Sequence, residues 1–335
     1  MVTLKDVAAR ANVSFSTVSR AINEPARVNV DTRARVQEAI QHLGYVPHRA
    51  ARRLRGRSMH AQIFGLLIPD IDNPFYSGII RGVEDRAFTE GYAVILSNTN
   101  EDPARERFYL DVLRQEAAAG AILPPFSDGD EIPYNPETLG FPVVCFDRRP
   151  EIEGVDTVVV DNEQGAFDAV SHLIGLGHQR IGLVVASLDL STSRERAAGY
   201  RRAHAEHGLP VLEDVVRVGE PRVEAGRELT ADLLNLSEPP TALFAGNNVM
   251  AMGALTAAQS LGVSIPDDLS LVGFDDPPWF ELVYPPLTTI RQPTFTIGQT
   301  AADLLLRRVE DPNRDATLVE LSTELVVRGS CARPA

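Results

Sequence analysis

The sequence contains few cysteines and no long hydrophobic run, and each absence excludes a class of protein. Its 335 residues include only two cysteines, Cys145 and Cys331, which are far apart and match no metal-ligand spacing. This pattern favours free thiols in a reducing compartment. No apolar stretch approaches the roughly 20 residues needed to cross a bilayer, so we predict no membrane association. The N-terminal residues show no secretory pattern, and we therefore expect a cytoplasmic protein.

The sequence also lacks the short motifs that mark common enzymes. No Gly-x-Gly-x-x-Gly follows the first predicted strand, and no Gly-x-x-x-x-Gly-Lys-Ser/Thr loop occurs. Metalloprotease and nucleophile-elbow motifs are absent as well. We therefore predict no enzyme activity, no catalytic residue, no metal and no cofactor. A binding protein for transport is a further alternative, which the missing secretory pattern and the basic N-terminal segment disfavour.

The charge of the chain is divided unevenly between its two ends. Residues 1–60 carry eleven basic and four acidic residues, a net charge of +7, although the whole chain has a net charge of −14. The remainder carries 21 basic and 42 acidic residues, a net charge of −21. A basic segment attached to an acidic one indicates a localised surface for a polyanion. The alternative is a solvated charged face without a ligand.

Residues 1–46 show the pattern of a small helical domain. Apolar residues at i, i+3, i+4 and i+7 from Leu4 predict one helix. Asn12 suits the left-handed turn that would follow, and Ser14 can cap a second helix. A third helix is predicted to begin with a cap at Asp31 and to end at Gly44. Two short helices joined by a tight turn are typical of a DNA-binding helix-turn-helix, although a plain helical hairpin has the same spacing.

Residues 47–59 are predicted to form a linker or short hinge helix. Five arginines fall within residues 49–57, so the segment should not fold alone until phosphates neutralise it. Leu54 is its one large apolar side chain and could wedge into a minor-groove base step. A charged linker with Leu54 packed on the helical domain is the alternative.

Residues 60–335 alternate short β-branched runs with amphipathic stretches, which predicts parallel sheets flanked by helices. We predict an all-α helix-turn-helix head and an α/β body of two doubly wound parallel-sheet lobes. The predicted strands are Ile63–Ile68, Tyr92–Ser97, Ala121–Leu123, Val143–Phe146, Thr157–Val160, Ile181–Val185, Ala242–Ala245 and Leu269–Phe274. The predicted helices are Ser77–Glu90, Glu163–Ile174, Arg194–His207, Arg222–Leu234 and Met250–Leu261.

Ligands of such sheets bind beyond the carboxyl ends of the strands, and that rule selects candidate residues. The candidates for ligand binding are Phe75, Tyr76, Asp147, Arg148, Arg196, Asn247, Asp275 and Trp279. Further polar residues at strand ends are Asp70, Asp72, Asn73, Arg149, Asp161, Ser191, Ser193, Asn248 and Asp276. Carboxylates, amides and arginines beside aromatic rings suit a polyhydroxylated ligand. Each residue also has a structural alternative, such as a helix cap for Asp161 or a core position for Trp279.

Several motifs closely resemble those of the lactose/galactose repressor (LacI/GalR) family, and the resemblance covers nearly the whole chain. In the head they are Thr3-Leu4-Lys5-Asp6-Val7-Ala8, Val13-Ser14-Phe15-Ser16-Thr17-Val18-Ser19-Arg20 and Gly44-Tyr45-Val46-Pro47. In the body they include Asn73-Pro74-Phe75-Tyr76, Arg196-Ala197-Ala198-Gly199-Tyr200, Gly246-Asn247-Asn248, Val272-Gly273-Phe274-Asp275-Asp276 and Pro286-Leu287-Thr288-Thr289-Ile290.

The resemblance implies a repressor that binds operator DNA as a homodimer and responds to a small-molecule effector. We expect a sugar or sugar derivative, with a non-sugar metabolite such as a nucleobase as the alternative. It implies that Phe15, Ser16 and Arg20 read bases and that Leu54 intercalates. The full set of expected DNA-binding residues is Thr3, Ser14, Phe15, Ser16, Thr17, Ser19, Arg20, Asn23, Arg49, Ala51, Arg52 and Leu54. No leucine heptads occur near the C-terminal residues, which favours a dimer over a tetramer.

The resemblance to periplasmic sugar-binding proteins implies that the chain crosses between the lobes three times, near residues 161, 290 and 322. We therefore expect a helix-turn-helix domain at 1–46, a hinge at 47–59 and an effector-binding and dimerisation domain at 60–335. Within the effector-binding domain, the first lobe should comprise about residues 60–160 and 291–321, and the second lobe about residues 161–290 and 322–335. Asn248 stands where some relatives carry aspartate, which indicates a different ligand.

Overall fold

The computed structural model describes residues 2–23, 27–43, 63–126 and 136–334. The chain divides into two compact units, a head of residues 1–59 and a body of residues 60–335. The predictions for Gly44 and for the hinge residues Arg49, Ala51, Arg52 and Leu54 lie outside the described residues. In the part of the chain that the structure describes, no helix is both long and apolar enough to cross a membrane.

Three helices form the described part of the head, α1 (Leu4–Ala11), α2 (Phe15–Asn23) and α3 (Val30–Leu43). The carboxylate of Asp6 accepts hydrogen bonds from both the backbone N–H and the hydroxyl of Thr3, each at 2.7 Å. These bonds fix the start of α1. The turn after α1 is made by Asn12 in the left-handed conformation, with φ 49° and ψ 53°. The Ser14 hydroxyl accepts a hydrogen bond from the Thr17 N–H at 3.1 Å and so caps α2.

The third helix begins differently from the prediction. The side chain of Asn29, not Asp31, caps it, because Asn29 Oδ1 accepts a hydrogen bond from the Thr32 N–H at 3.0 Å. Asp31 lies inside the first turn, where a negative charge still interacts favourably with the helix dipole. The three helices share a small apolar core around Val7, Val18 and Val36.

The body contains two sheets of six strands among the residues described. The strands are β1 (Ile63–Ile68), β2 (Ala93–Asn98), β3 (Gly120–Leu123), β4 (Val143–Phe146), β5 (Asp156–Val160), β6 (Ile181–Ala186), β7 (Val216–Gly219), β8 (Ala242–Ala245), β9 (Ser270–Phe274), β10 (Thr288–Arg291), β11 (Leu318–Leu321) and β12 (Glu324–Val326). The first sheet has the order β11-β5-β4-β3-β1-β2 and is parallel throughout. The second has the order β12-β10-β9-β8-β6-β7 and is parallel except for β12.

Helices cover both sheets and complete two α/β lobes. They are α4 (Phe75–Thr89), α5 (Pro103–Gln115), α6 (Pro136–Leu139), α7 (Asn162–Gly175), α8 (Ser191–Glu206), α9 (Val223–Leu234), α10 (Asn248–Leu261) and α11 (Thr294–Glu310). We call the sheet that contains β1 the first lobe and the sheet that contains β6 the second lobe, each with its helices. The central strands are buried on both faces, which explains their continuous apolar sequence. The predicted fold class is confirmed.

The order of strands shows that the chain passes between the lobes three times. It leaves the first lobe after β5, returns after β10, and enters the second lobe again between β11 and β12. Because α11 follows the second crossing, a late segment of the chain packs into the first core, where it contributes Ile297, Ala301 and Leu305. The sequence patterns did not predict α5, α6, α11 or the four strands β7, β10, β11 and β12.

Candidate functional site

A cavity of about 330 Å³ lies between the two lobes, at the carboxyl ends of their strands. Seven of the eight residues predicted for ligand binding line it, namely Phe75, Tyr76, Asp147, Arg148, Arg196, Asn247 and Asp275. The other lining residues include Asp70, Asn73, Asn100, Glu101, Leu190, Thr192, Ser193, Glu220, Arg222 and Gln292. The topology of the sheets therefore brings together residues that are more than 200 positions apart in the sequence.

Trp279 does not line the cavity, so its placement does not support the predicted contact with a ligand. Its indole packs edge-on against Phe280, with ring centroids 4.1 Å apart, and contacts the apolar core of the second lobe. The residue belongs to a short 3-10 helix, Pro278–Glu281, which carries it away from the end of β9. Trp279 follows the correct strand, but sequence spacing alone does not show the direction that the loop takes.

Asp147 and Asp275 occupy equivalent positions in the two lobes, directly after β4 and β9. Both adopt the left-handed conformation, with φ 63° and 75°, which aspartate tolerates better than most residues. Both residues are buried, with 8% and 5% of their surface exposed. Burial raises the pKa of Asp147 to about 6 and also raises the pKa of Asp275. Two carboxylates of reduced acidity thus face one cavity from opposite sides.

The partners of these two carboxylates differ. Asp275 Oδ1 accepts a hydrogen bond from Gln292 Nε2 at 2.6 Å, and its Oδ2 accepts one from the Asn248 N–H at 3.1 Å. Asp147 accepts none from the described residues; its nearest cation is Arg148, whose Nε lies 3.9 Å from Oδ2. A ligand hydroxyl would therefore complete the hydrogen bonding of Asp147.

Arg196 is a buried cation at the cavity and is held by three contacts. Its guanidinium carbon lies 3.7 Å from the centroid of the Phe274 ring. Its Nε donates to Asn162 Oδ1 at 2.9 Å, and its Nη1 donates to the Gly246 carbonyl at 2.6 Å. The remaining nitrogen, Nη2, donates to no group among the described residues and can serve a ligand.

Arg148 is the other buried cation at the cavity, and it is already paired with Glu101. Its two terminal nitrogens donate to the two carboxylate oxygens of Glu101, a residue in the loop after β2. Such bidentate pairs are geometrically specific. The sequence pattern missed Glu101, because the adjacent Asn100 and Glu101 form a left-handed turn that places them back over the end of the sheet.

Three buried polar atoms at or beside the cavity have no hydrogen-bond partner among the residues described. They are Arg148 Nε, Gln292 Oε1 and Asn248 Oδ1. The orientation of the Gln292 amide is fixed by Asp275, and that of Asn248 by Asn73, whose Oδ1 accepts from Asn248 Nδ2 at 2.8 Å. Unpaired buried groups are costly, so these atoms indicate where a ligand or ordered water binds.

Phe75 and Tyr76 provide the apolar part of the cavity at the start of α4. Their rings meet edge to face, 5.0 Å apart, and Tyr76 also packs against Phe146 of β4. Burial raises the pKa of Tyr76 well above its ordinary value, so this residue offers a neutral hydroxyl. Asn247 has a structural function as well, because its Oδ1 caps α10 by accepting from the Met250 N–H.

Two other polar residues at strand ends, Asp161 and Asp276, have structural partners. Asp161 caps α7, with its carboxylate accepting from the Gln164 N–H at 2.8 Å. Asp276 pairs with Arg328 and Arg291. Burial acts to raise the pKa of Asp276, but the hydrogen bonds from the two arginines outweigh burial and lower it. The described residues contain no group of histidine, cysteine and carboxylate side chains suited to a metal ion.

In the head, α2 exposes the three residues expected to read DNA bases. Phe15 is 42% exposed, and Ser16 and Arg20 are exposed as well. The hydroxyl of Ser14 lies 2.8 Å from the hydroxyls of both Ser16 and Thr17. The other expected residues in α1 and α2 vary in exposure: Thr3 and Ser14 are exposed, whereas Thr17 and Ser19 are half-buried. Asn23 is the last residue of α2.

Comparison with known proteins gives consistent matches over the whole chain. Residues 3–48 match the model of bacterial regulatory proteins of the lacI family, and residues 170–331 match the periplasmic binding protein-like domain. The HTH-type transcriptional repressor PurR of Photobacterium profundum is 34% identical over 331 residues, which is 98% of each chain.

Two solved structures are also similar. A complex of the transcriptional regulator CelR with cellobiose has 30% identity and a TM-score of 0.75, and the match covers 98% of this chain and 100% of that one. The lac repressor dimer bound to operator and the anti-inducer ONPF has 29% identity and a TM-score of 0.83, with 99% of both chains covered.

Proposed function

Because the chain belongs to the LacI family of bacterial transcriptional repressors, we propose that it controls carbohydrate-metabolism genes and that a sugar or sugar derivative is its effector. Its relatives are DNA-binding regulators, and the chain is accordingly a transcription regulator and not an enzyme. The effector, its binding residues and the dimeric state are the proposed parts. The single observation that carries the effector proposal is the cavity between the lobes, with Asp147 and Asp275 facing it from opposite sides.

The chemistry of the cavity supports a ligand with many hydroxyl groups. Carboxylate and amide oxygens outnumber free donors there, and Asp147 and Gln292 Oε1 both lack a donor among the described groups. A hydroxyl can donate to these oxygens and at the same time accept from Arg196 Nη2. Phe75 offers an apolar surface for the C–H face of a sugar ring. The bound cellobiose in the CelR structure is a ligand of this class in a relative.

The charge balance of the cavity supports a neutral ligand over a phosphorylated one. Five acidic residues line it, namely Asp70, Glu101, Asp147, Glu220 and Asp275, against the three arginines Arg148, Arg196 and Arg222. Two of the arginines are already paired, Arg148 with Glu101 and Arg222 with Glu220. A phosphate would meet a surplus of negative charge and no free pair of cations among these lining residues.

A screen of the full-length protein tests the effector proposal. Thermal unfolding is measured with neutral sugars, including cellobiose and D-ribose, with the matching sugar phosphates, and with nucleobases and nucleosides as the alternative class. Compounds that raise the unfolding temperature are then titrated into operator-binding assays. We expect a neutral sugar to change operator affinity in either direction. If only nucleobases or nucleosides change operator affinity, the proposal of a sugar effector is refuted. If only phosphorylated sugars change it, the proposal of a neutral sugar is refuted.

The exposed residues of α2 form the proposed base-reading surface. Ser16 can hydrogen-bond to several base edges, and Arg20 can contact guanine through two parallel hydrogen bonds. Selection of bound duplexes from a random pool with the full-length protein tests this. We expect Arg20→Ala to relax the preference at one position of the selected site, by about 1–3 kcal/mol per contact. The control Arg10→Ala, at the end of α1, should weaken binding to all duplex sequences equally or leave binding unchanged. Unchanged base preference in Arg20→Ala would contradict the assignment.

We also propose that two chains pair through their bodies to present two heads. The body exposes large apolar side chains, among them Phe88, Leu282 and Tyr284, at 75%, 83% and 100% exposure. The related lac repressor was solved as a dimer on its operator. Light scattering of the purified protein should give twice the mass of the chain, and a monomer at micromolar concentration would contradict this proposal.

A further inference from the structure

Two sets of polar contacts join the two lobes. In the first, Asn248 of the second lobe donates to Asn73 of the first at 2.8 Å. In the second, Arg149 extends from the end of β4 to α8 of the second lobe. Its backbone N–H donates to Ser191 Oγ at 2.9 Å, and its Nε donates to Glu195 Oε1 at 2.8 Å.

The second contact continues into the cavity through one buried amide. Asn162, which is 1% exposed, donates from Nδ2 to Glu195 Oε2 at 2.9 Å. Its Oδ1 accepts from Arg196 Nε, also at 2.9 Å. The side chains of Arg196, Asn162, Glu195 and Arg149 thus form one unbroken series of hydrogen bonds, which we call the interlobe relay.

The relay has a fixed polarity. Arginine only donates and a carboxylate only accepts, so Asn162 must turn its oxygen to Arg196 and its nitrogen to Glu195. At the far end, Arg149 also pairs with Glu320 of β11, the strand that precedes the third crossing between the lobes. Movement of the cavity arginine is therefore linked to a first-lobe residue beside a crossing segment.

We propose that Asn162 and Glu195 are positioning residues that couple Arg196 in the cavity to Arg149 across the lobe boundary, and thereby set how firmly the lobes are held together. Neither Asn162 nor Glu195 is among the described residues that line the cavity. The proposal rests on the proposed function in one respect only: an effector that binds the free Nη2 is what would move Arg196. The coupling itself is a property of the protein alone.

The backbone N–H of Arg149 reports on this coupling directly, because its hydrogen-bond acceptor, Ser191 Oγ, belongs to the other lobe. Hydrogen exchange of the full-length protein, resolved to single amides by mass spectrometry, measures its protection. The N–H of Asp147 is the internal control, because it donates to the Val158 carbonyl within the first lobe.

The first variant is Glu195→Gln, which is isosteric and removes one acceptor. If the new amide keeps its oxygen towards Arg149, its nitrogen meets the nitrogen of Asn162, and two donors face each other. We expect exchange at the Arg149 amide to rise about tenfold, with no change at Asp147. The matched control is Glu163→Gln, which breaks an ion pair of similar length with Arg202, at 2.7 Å, inside the second lobe. It should leave both amides unchanged.

The second variant reverses the polarity at the other position. Asn162→Asp keeps the bond from Arg196 but turns a second oxygen towards Glu195, so two acceptors face each other and exchange at Arg149 should again rise. In the double variant Asn162→Asp/Glu195→Gln, the amide nitrogen introduced at position 195 can donate to the carboxylate introduced at position 162, and every link of the relay is restored. Only the longer bond from position 162 to the Val160 carbonyl, at 3.3 Å, stays lost. We expect the double variant to return close to the wild-type exchange rate.

The outcomes separate the relay from a general structural effect. Rescue in the double variant supports the relay, because two independent destabilising changes would add. Additive increases, or wild-type exchange at Arg149 in Glu195→Gln, would overturn it. If Asn162→Asp fails to fold, Glu195→Gln against Glu163→Gln decides the question alone. None of these measurements uses DNA or effector, so their failure leaves the proposed function untouched.

Discussion

The two lobes present matching aspartates to one cavity, and the comparison shows how differently they are prepared for a ligand. Asp275 of the second lobe is held by Gln292 and by the Asn248 N–H. Asp147 of the first lobe is similarly buried yet accepts no hydrogen bond from the described residues. The second lobe is therefore organised before a ligand binds, whereas the first carries an unsatisfied carboxylate that a ligand can complete.

The largest expected effect comes from equal substitutions at these two positions. Asp275→Asn replaces one acceptor oxygen with a donor that faces another donor, so the free energy of unfolding should fall by about 3 kcal/mol. Asp147→Asn removes a buried charge without breaking a hydrogen bond and should leave stability unchanged or higher near neutral pH. Thermal and denaturant unfolding of both variants measure the difference. Equal losses in the two variants would contradict the asymmetry between the lobes.

A pH titration of stability sharpens the same comparison. The pKa of Asp147 is raised to about 6 in the folded protein from an ordinary value near 3.8. Between these values the folded state binds a proton that the unfolded state has released, so the contribution of Asp147 to stability falls as pH rises from about 4 to 6. Asp147→Asn should remove this loss, which reaches about 3 kcal/mol by pH 7. Unfolding of the variant and the wild type at pH 5 and pH 7 gives the difference directly; a constant difference would contradict the raised pKa.

A smaller effect is expected at the ion pair of the first lobe. Glu101→Gln removes a negative charge near Asp147 and leaves Arg148 with a weaker partner. The freed guanidinium should favour the ionised form of Asp147 and move the pH-dependent loss of stability to lower pH. We expect a cost of about 1 kcal/mol at neutral pH, measured by denaturant unfolding across the same pH range. The exposed Glu84→Gln on α4 is the control and should leave the pH profile unchanged.

The smallest effect is expected at Trp279, which was predicted to contact the ligand but does not line the cavity. Trp279→Phe should leave ligand affinity and operator affinity unchanged and lower stability by about 1 kcal/mol or less, because Phe retains the edge-on contact with Phe280. Calorimetric titration with the effector found in the screen measures the affinity. A loss of effector affinity of about tenfold, equivalent to about 1.4 kcal/mol, would show that the loop after β9 rearranges to bring Trp279 to the ligand.

The sequence predicted the elements whose patterns are local. Continuous apolar strands such as β1 and β6, and turns marked by Asn12 or Ser14, follow from short-range spacing alone. The rule that ligands bind at strand ends then located seven cavity residues. It failed for Glu220, Arg222 and Gln292, because the strands that precede them, β7 and β10, were not predicted. Both have mixed polar sequences and are stabilised by long-range pairing with β6, β9 and β12.

Details of the site that depend on side-chain direction were beyond the sequence. The spacing cannot show that Glu101 turns back to Arg148, or that Trp279 turns away from the end of β9. It also gave no sign that Asn162, at the start of α7, connects Arg196 to Glu195. These contacts join separate strands and helices, and only the packed lobes bring them within hydrogen-bonding distance.

The late position of α11 and β12 in the chain has a consequence for synthesis. The first lobe needs α11 for its core, and the second needs β12 at the edge of its sheet. A ribosome that has reached residue 290 has therefore made most of both lobes and finished neither. We expect such nascent chains to depend on chaperones until α11 and β12 emerge, and premature termination before β12 to leave no complete lobe behind.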